Sequence, residues 1–321
     1  MKIKELFDTI IQIGMERDPR GRSAVENYLA EIKKNYDELS EKEKKYFDIE
    51  KFTNPYGDSR IYNDNDNEIS KVLVGIDIET PELLLFDNIR SKGEKIDLAI
   101  THHPEGIALN NLPQVMNMQI DFLHKYGLPI NLAENILLER IDDVSKGVLP
   151  TNYSRAVDAA KLLDIPFLGV HTPADNCVVH YLQALFDKEN PKKMKDIFDL
   201  LLDIEEYQIS YKESNAPKIV VGNKNSSCGK ILVDMTGGTE GPVIAMEKLA
   251  NAGIGTIVGM HFSQSHLKSA KANHLNIIIA GHIASDNLGM NLLFDELENR
   301  LKKLDYIECS GYKRISRRAG V

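Results

Sequence analysis

KVLVGIDIETPELLLFDNIRSKGEKIDLAITHHPEG, residues 71–106, decides the architecture. An apolar run, KVLVGIDIE, gives way to a helix-like stretch, ELLLFDNIRSKG, and then to a second apolar run, KIDLAITHH. Strand, helix, strand in that order, with a helix of this length, builds a parallel βαβ unit. The second strand ends on His102 and His103 side by side. Pro104 then stops the strand, and Gly106 lets the chain turn away.

The same texture continues downstream. A helical stretch, SRAVDAAKLLD, precedes the strand IPFLGVH, and residues 185–217 read as charged helices ending in the polar ESNAPK. A second alternating block then runs through KILVDM, the glycine turn TGGTEG, the helix PVIAMEKLANAG, the strand GTIVGMH, another helix and NIIIAGH. The helix LGMNLLFDELENRLKKL closes it. Upstream, Leu6, Ile10, Ile11 and Met15 recur at helical spacing, and SAVENYLAEIKKNYDELSEKEKKYF repeats the pattern with dense charge. KFTNPYGDSRIYNDNDNEIS reads as a loop and boundary; its Asn/Asp run lacks the spacing and closing glutamate of a calcium loop. The predicted fold class is α/β: a helical N-terminal extension (1–60), a first α/β lobe (68–184), a helical insertion (185–217) and a second α/β lobe (218–321).

Composition narrows the function. Hydrophobic content of 42% and charged content of 27% over 321 residues are those of a soluble globular protein. A net charge of -9 argues against a nucleic-acid-binding surface, and the basic tail GYKRISRRAG reads as a solvated terminus. Three cysteines, none in a CxxC, suit a reducing compartment. The opening MKIKELFDTIIQIGMERDPRGR carries acids inside its apolar stretch and no small-residue cleavage site, so it does not read as a signal peptide. No membrane span is expected, and the predicted location is cytoplasmic.

Five of the nine histidines, His102, His103, His171, His261 and His282, fall at the C-terminal end of a strand-like run. That is where open α/β sheets bind ligands. Asp175 and Asp286 each follow a histidine by four residues, His171 and His282, which places each pair on one face of a helix. Imidazole with carboxylate and no thiolate suits Zn, Mn, Fe, Co or Ni. Adjacent histidines at a strand end point to different sides, so they are placed to hold one ion each, with a bridging carboxylate between. The residues thus predict two divalent transition-metal ions held by His102, His103, Asp175, His282 and Asp286.

These segments resemble the NIF-three-like family, dinuclear-metal proteins often labelled GTP cyclohydrolase I type 2 homologues. The likeness lies in the strand ending in THHP, the HTPAD segment, the glycine turn after KILVDM, and GHIASD, and it covers most of residues 70–300. It implies two similar lobes with the metals in the cleft between them, the same five ligands, and ring-shaped hexamers of three dimers. Asp286 stands where the family usually has a glutamate, one methylene longer, which points to a monodentate or water-mediated ligand there. Met260 and His261 stand where relatives tend to carry an acid.

Other residues complete the expectation. Gly237 and Gly238, between strand and helix, would let backbone N–H groups face an anion. Glu105 is a candidate general base or a partner orienting a ligand histidine, and His261 a candidate catalytic group. His171 and His266 are candidates for substrate contact or for orienting a ligand. GNKNSSCGK lacks P-loop spacing, and Cys228 within it reads as an ordinary thiol. The predicted function is a metal-dependent hydrolase using a metal-activated water on a small phosphorylated or nucleotide-like substrate. The alternative is a non-catalytic metal-binding scaffold, metal chaperone or regulator in a ring-like homo-oligomer.

Overall fold

The structure is a computed structural model describing residues 1–318. Helices α1 (Ile3–Glu16), α2 (Arg22–Asp37) and α3 (Glu41–Lys44) precede strands β1 (Arg60–Asn63) and β2 (Lys71–Gly75). Next come α4 (Thr80–Ser91), β3 (Leu98–Thr101), α5 (Gly106–Val115), α6 (Met118–Lys125), α7 (Ile130–Val148), α8 (Arg155–Leu162) and β4 (Phe167–Gly169). Helices α9 (Thr172–Glu189), α10 (Met194–Leu202) and α11 (Glu205–Lys212) lead to β5 (Lys218–Val221) and β6 (Lys230–Asp234). The chain finishes with α12 (Ala245–Asn251), β7 (Ile254–Gly259), α13 (Gln264–Ala272), β8 (Asn276–Ile279), α14 (His282–Arg300) and β9 (Asp305–Glu308).

Two sheets follow one plan. In the order β1-β4-β3-β2-β9, strands β2, β3 and β4 run parallel and β1 lies antiparallel on β4. In the order β5-β8-β7-β6, strands β6, β7 and β8 run parallel and β5 lies antiparallel on β8. Alternation along the strands then sets the layers. Val72, Val74, Leu98, Ile100 and Leu168 face a central layer that includes α1, α9 and α14, whereas Leu73, Ala99 and Phe167 face α4 and α8. Val233, Val258 and Ile278 face α9, α10, α11 and α14, whereas Leu232, Ile257 and Ile277 face α6, α7, α12 and α13. Helices α9 and α14 therefore lie between the sheets, and each begins just beyond the C-terminal end of the strand before it.

Several boundaries differ from those the sequence suggests. Strand β9, expected in the second lobe, pairs parallel with β2 at the edge of the first sheet. Strand β1, within the segment read as a loop, is likewise part of that sheet. Helix α1 is no appendage: Leu6, Ile10 and Ile13 are fully buried in the central core. Nor do residues 185–217 form a separate insertion, since α9 runs to Glu189 and α10 and α11 close the same core. The basic tail is not solvated either. Arg314 pairs with Asp295 at 2.6 Å, Arg318 with Glu298 at 2.6 Å, and Arg317 with Glu206. Ala319 and Gly320 of that tail lie outside the described residues.

The central helices touch where the site is built. A Cβ on Gly289 of α14 would lie 2.5 Å from the carbonyl oxygen of Ala174 in α9, so only glycine allows this approach. Ala174 precedes Asp175, and Gly289 lies within one turn of Asp286. Gly289→Ala is therefore expected to cost about 1–2 kcal/mol, because overpacking outweighs the gain in helix propensity. It should also weaken metal binding by spreading the two carboxylates. Urea denaturation and a metal titration check both effects, and unchanged values in both would contradict them.

Candidate metal centre

Local hydrogen bonds place the paired histidines. Beyond β3, the amides of His102 and His103 donate to the Ile76 carbonyl at 3.2 and 2.9 Å, hooking the strand end onto the end of β2. His102 is buried, and its Nδ1–H donates to the Val170 carbonyl at 3.0 Å. Nε2 is thereby left to face inwards. It lies 3.5 Å from Asp175 Oδ1 and 3.5 Å from Asp286 Oδ1. His103 has its Nδ1 on Asp77 at 2.6 Å, and its Nε2 lies 3.5 Å from Asp286 Oδ2 and 3.4 Å from His282 Nε2. His282 Nε2 is itself 3.6 Å from Asp286 Oδ2.

Ligand nitrogens therefore gather on both oxygens of Asp286, His102 Nε2 at Oδ1 and His103 and His282 Nε2 at Oδ2, and the ligand atoms of His102, His103 and Asp286 all lie within 4.8 Å of one another. The contacts are too long for good hydrogen bonds. They match the roughly 3.4 Å separation of ligand atoms around a tetrahedral ion with bonds of about 2.1 Å. His102 Nε2, Asp286 Oδ1 and Asp286 Oδ2 are also buried with no hydrogen-bond partner. Lone pairs converging on one point without a donor fit a cation. These residues could hold a divalent metal, and both oxygens of Asp286 reach ligand nitrogens despite the shorter side chain.

His171 joins the cluster. Its Nδ1 bonds Asp58 at 2.8 Å, and with His102 and Asp175 it forms a further potential ligand group. Asp58 also accepts from Thr172 Oγ1 at 2.6 Å. Neither Asp58 nor Asp77 was anticipated. Asp77 interrupts the apolar run KVLVGIDIE two residues beyond the end of β2, a signal that could have found it. Asp58 sits among turn residues and carried none.

Electrostatics follow the geometry. Burial opposes charge on His103, but Asp286 and Asp77 outweigh it and push the imidazole up to about 10. Burial raises Asp175 to about 6 and lowers His282 to about 4. Burial would also raise Asp286, yet the flanking histidines hold it well below the usual carboxylate range.

A cavity of about 290 Å³ opens from these residues and runs between α5–α6 and the segment 234–242. His261 lines it, held through Nδ1 by Glu240 at 2.7 Å, and its ring lies 4.9 Å from that of His282. Glu240 was another residue that sequence reading passed over. His266 lines the cavity too, bonding Ser263 Oγ at 2.7 Å and the Gly241 carbonyl at 3.0 Å. Glu105 is not brought in: it does not line the cavity, and burial and Glu79 raise its carboxyl to about 7 on the other side of Pro104. The glycine turn also differs from expectation. Gly237 and Gly238 adopt φ of +89° and +88°, but α12 begins only at Ala245. Gln119 donates to the carbonyls of Gly237 and Thr239, both at 2.7 Å, so the turn is a packing joint rather than an anion cradle at a helix start.

Comparison with solved structures places this architecture. A NIF3 superfamily protein from Sphaerobacter thermophilus superposes with a TM-score of 0.69 and 27% identity, over 79% of this chain and 91% of that one. The chain has a NIF3-superfamily fold. Reduced HcgD from Methanocaldococcus jannaschii aligns at TM-score 0.44 with 19% identity, covering 77% of this chain and 87% of that one. Protein ybgI, of unknown function, aligns at 0.48 with 14% identity, covering 97% and 98%. No protein-family model matches the sequence, and no curated protein does. Among the described residues of this NIF3-like fold, no helix is long and apolar enough to cross a membrane.

The raised pKa of His103 has a measurable consequence. Its folded value lies above the ordinary 6.5, so in the metal-free chain the second proton stabilises the fold at low pH. That contribution is lost as pH rises through about 10. An ion taking His103 Nε2 must displace this proton. Metal affinity should therefore rise from about pH 6 to pH 8, by up to about tenfold per unit. Calorimetry in two buffers of different ionisation enthalpy should show about one proton released; binding without proton release would contradict the assignment.

Proposed function

We propose that the chain is a hydrolase with a dinuclear metal centre. His102, Asp175 and Asp286 would hold one ion, and His103, His282 and Asp286 the other. Bound there, divalent ions supply Lewis acidity and a water acidified towards neutrality. The protein's own part is orientation. Val170 and Asp77 fix the ring orientations of His102 and His103, while Asp58 fixes His171. His261 faces the cavity beside His282, and the hydrogen bond of its Nδ1–H to Glu240 raises its pKa, which favours the form that also carries a proton on Nε2. It is the residue to pass that proton to a leaving group, a role this geometry does not offer to Glu105.

The observation that carries the reading is the cavity. A structural metal site is closed by protein ligands, whereas a catalytic one keeps an open position. Here the space reaches His103, Asp175, His282 and Asp286 directly. That accessibility favours turnover over a purely scaffolding role.

Metal content and turnover test this together. Reconstituted protein should carry about two ions per chain, Asp286→Asn close to none, and His282→Ala about one, with folding checked by circular dichroism. A panel of amides, lactams and esters supplied with Mn or Zn should reveal hydrolysis that disappears with chelator and in Asp286→Asn. Two ions bound with no turnover across the panel would favour the scaffold reading, and no bound ions would overturn the centre itself.

A further inference from the structure

The part of the cavity away from the metal-binding cluster has a charge pattern of its own. Among the described residues, no lysine or arginine lines the cavity, and the carboxylates at this end are Asp234 and Glu240. One cation approaches from outside, where Arg140 of α7 donates Nε to the Glu240 carbonyl at 3.0 Å. The body of the cavity is apolar, formed by Leu109 and Leu112 of α5, Phe122 of α6, Met246 and Leu249 of α12, and Met260. A phosphate or carboxylate placed there would find no lysine or arginine, only imidazoles already engaged by Glu240, and would face the carboxylates of Asp234 and Glu240.

Asp234 is the distinctive group. It ends β6 and lines the cavity, and no hydrogen bond or ion pair engages its carboxylate among the described residues. In the shared plan of the two sheets it occupies the place of Gly75, since Gly75 pairs with Thr101 just as Asp234 pairs with Gly259. The second sheet therefore adds an acceptor where the first has none. Glu240 differs, because His261 and His266 already occupy it, at 2.7 and 3.4 Å. Burial and the nearby Glu240 push the Asp234 carboxyl up to about 6, the behaviour of an acid without a donor.

We infer that this end of the cavity recognises a planar nitrogen heterocycle or cyclic amide that carries N–H donors and no anionic group, with the donors on Asp234 and the ring between α5–α6 and α12. The assignment names a substrate class for the hydrolase proposed above and rests on that reading for the chemistry at the other end. It replaces the phosphorylated substrate expected from the glycine turn. A flat ring suits a space walled by leucine, methionine and phenylalanine, and a donor pair on this partly buried carboxylate is worth more than the same pair in water.

Calorimetric titration of the full-length chain with 2-aminobenzimidazole and with phenyl phosphate tests it. In chelator-treated protein the aminobenzimidazole should bind and phenyl phosphate should not. Asp234→Asn should weaken aminobenzimidazole binding at least about tenfold while leaving metal content at the wild-type value. Thr239→Lys, which places a cation on the cavity wall, should reverse the preference, a gain that misfolding does not mimic. Phenyl phosphate binding the chelated chain as tightly as the aminobenzimidazole would overturn the proposal, as would an affinity unchanged by Asp234→Asn. Because these titrations need no ion, their failure is distinguishable from failure of the metal centre, which metal content reads separately.

Discussion

The carboxylate of Asp286 lies wholly inside the protein, with imidazole nitrogens 3.5–3.6 Å from its oxygens and no hydrogen-bond donor on either oxygen. Burying an anion in this way costs on the order of several kcal/mol unless a cation meets it. Without metal, the proton on His103 meets part of that demand. Two divalent ions would meet it fully and would also engage the inward lone pair of His102. The packing of α9 against α14 at Gly289 serves the same end, because it brings Asp175 and Asp286 towards one point from two helices.

Duplication of one sheet plan explains where the ligands come from. Each sheet presents strand ends and a following helix to the same central space, so β3 and β4 supply His102, His103 and His171, and the β8–α14 junction supplies His282 and Asp286. His261 stands two residues beyond Gly259 as His103 stands two beyond Thr101. The copies have diverged in use. Where the first sheet has His102, the second has Met260, and it contributes cavity wall and a histidine held by Glu240 instead.

Much of this was legible in the chain. Alternating apolar runs and helical periodicity located β2, β3, β4, β6, β7 and β8, and the histidines at their ends marked the cluster. Strands β1, β5 and β9 escaped because each is an edge strand with few buried residues, lacking the longer apolar run that marks the inner strands, and β1 is embedded in turn residues. Asp58, Asp77 and Glu240 escaped for another reason. Each acts on a histidine 21 to 113 residues away, a relation created by folding and absent from local spacing. Gly237 and Gly238 looked like an anion cradle because a helix was expected to start directly after them; six further residues intervene before Ala245.

The account turns on Asp286 bridging two ions, and anomalous diffraction from crystals grown with Mn or Zn tests that most directly. It should show two peaks about 3.5–4 Å apart, one beside His102 and Asp175 and the other between His103 and His282, with one oxygen of Asp286 on each. A single peak, or peaks that leave either oxygen of Asp286 without an ion, would contradict it.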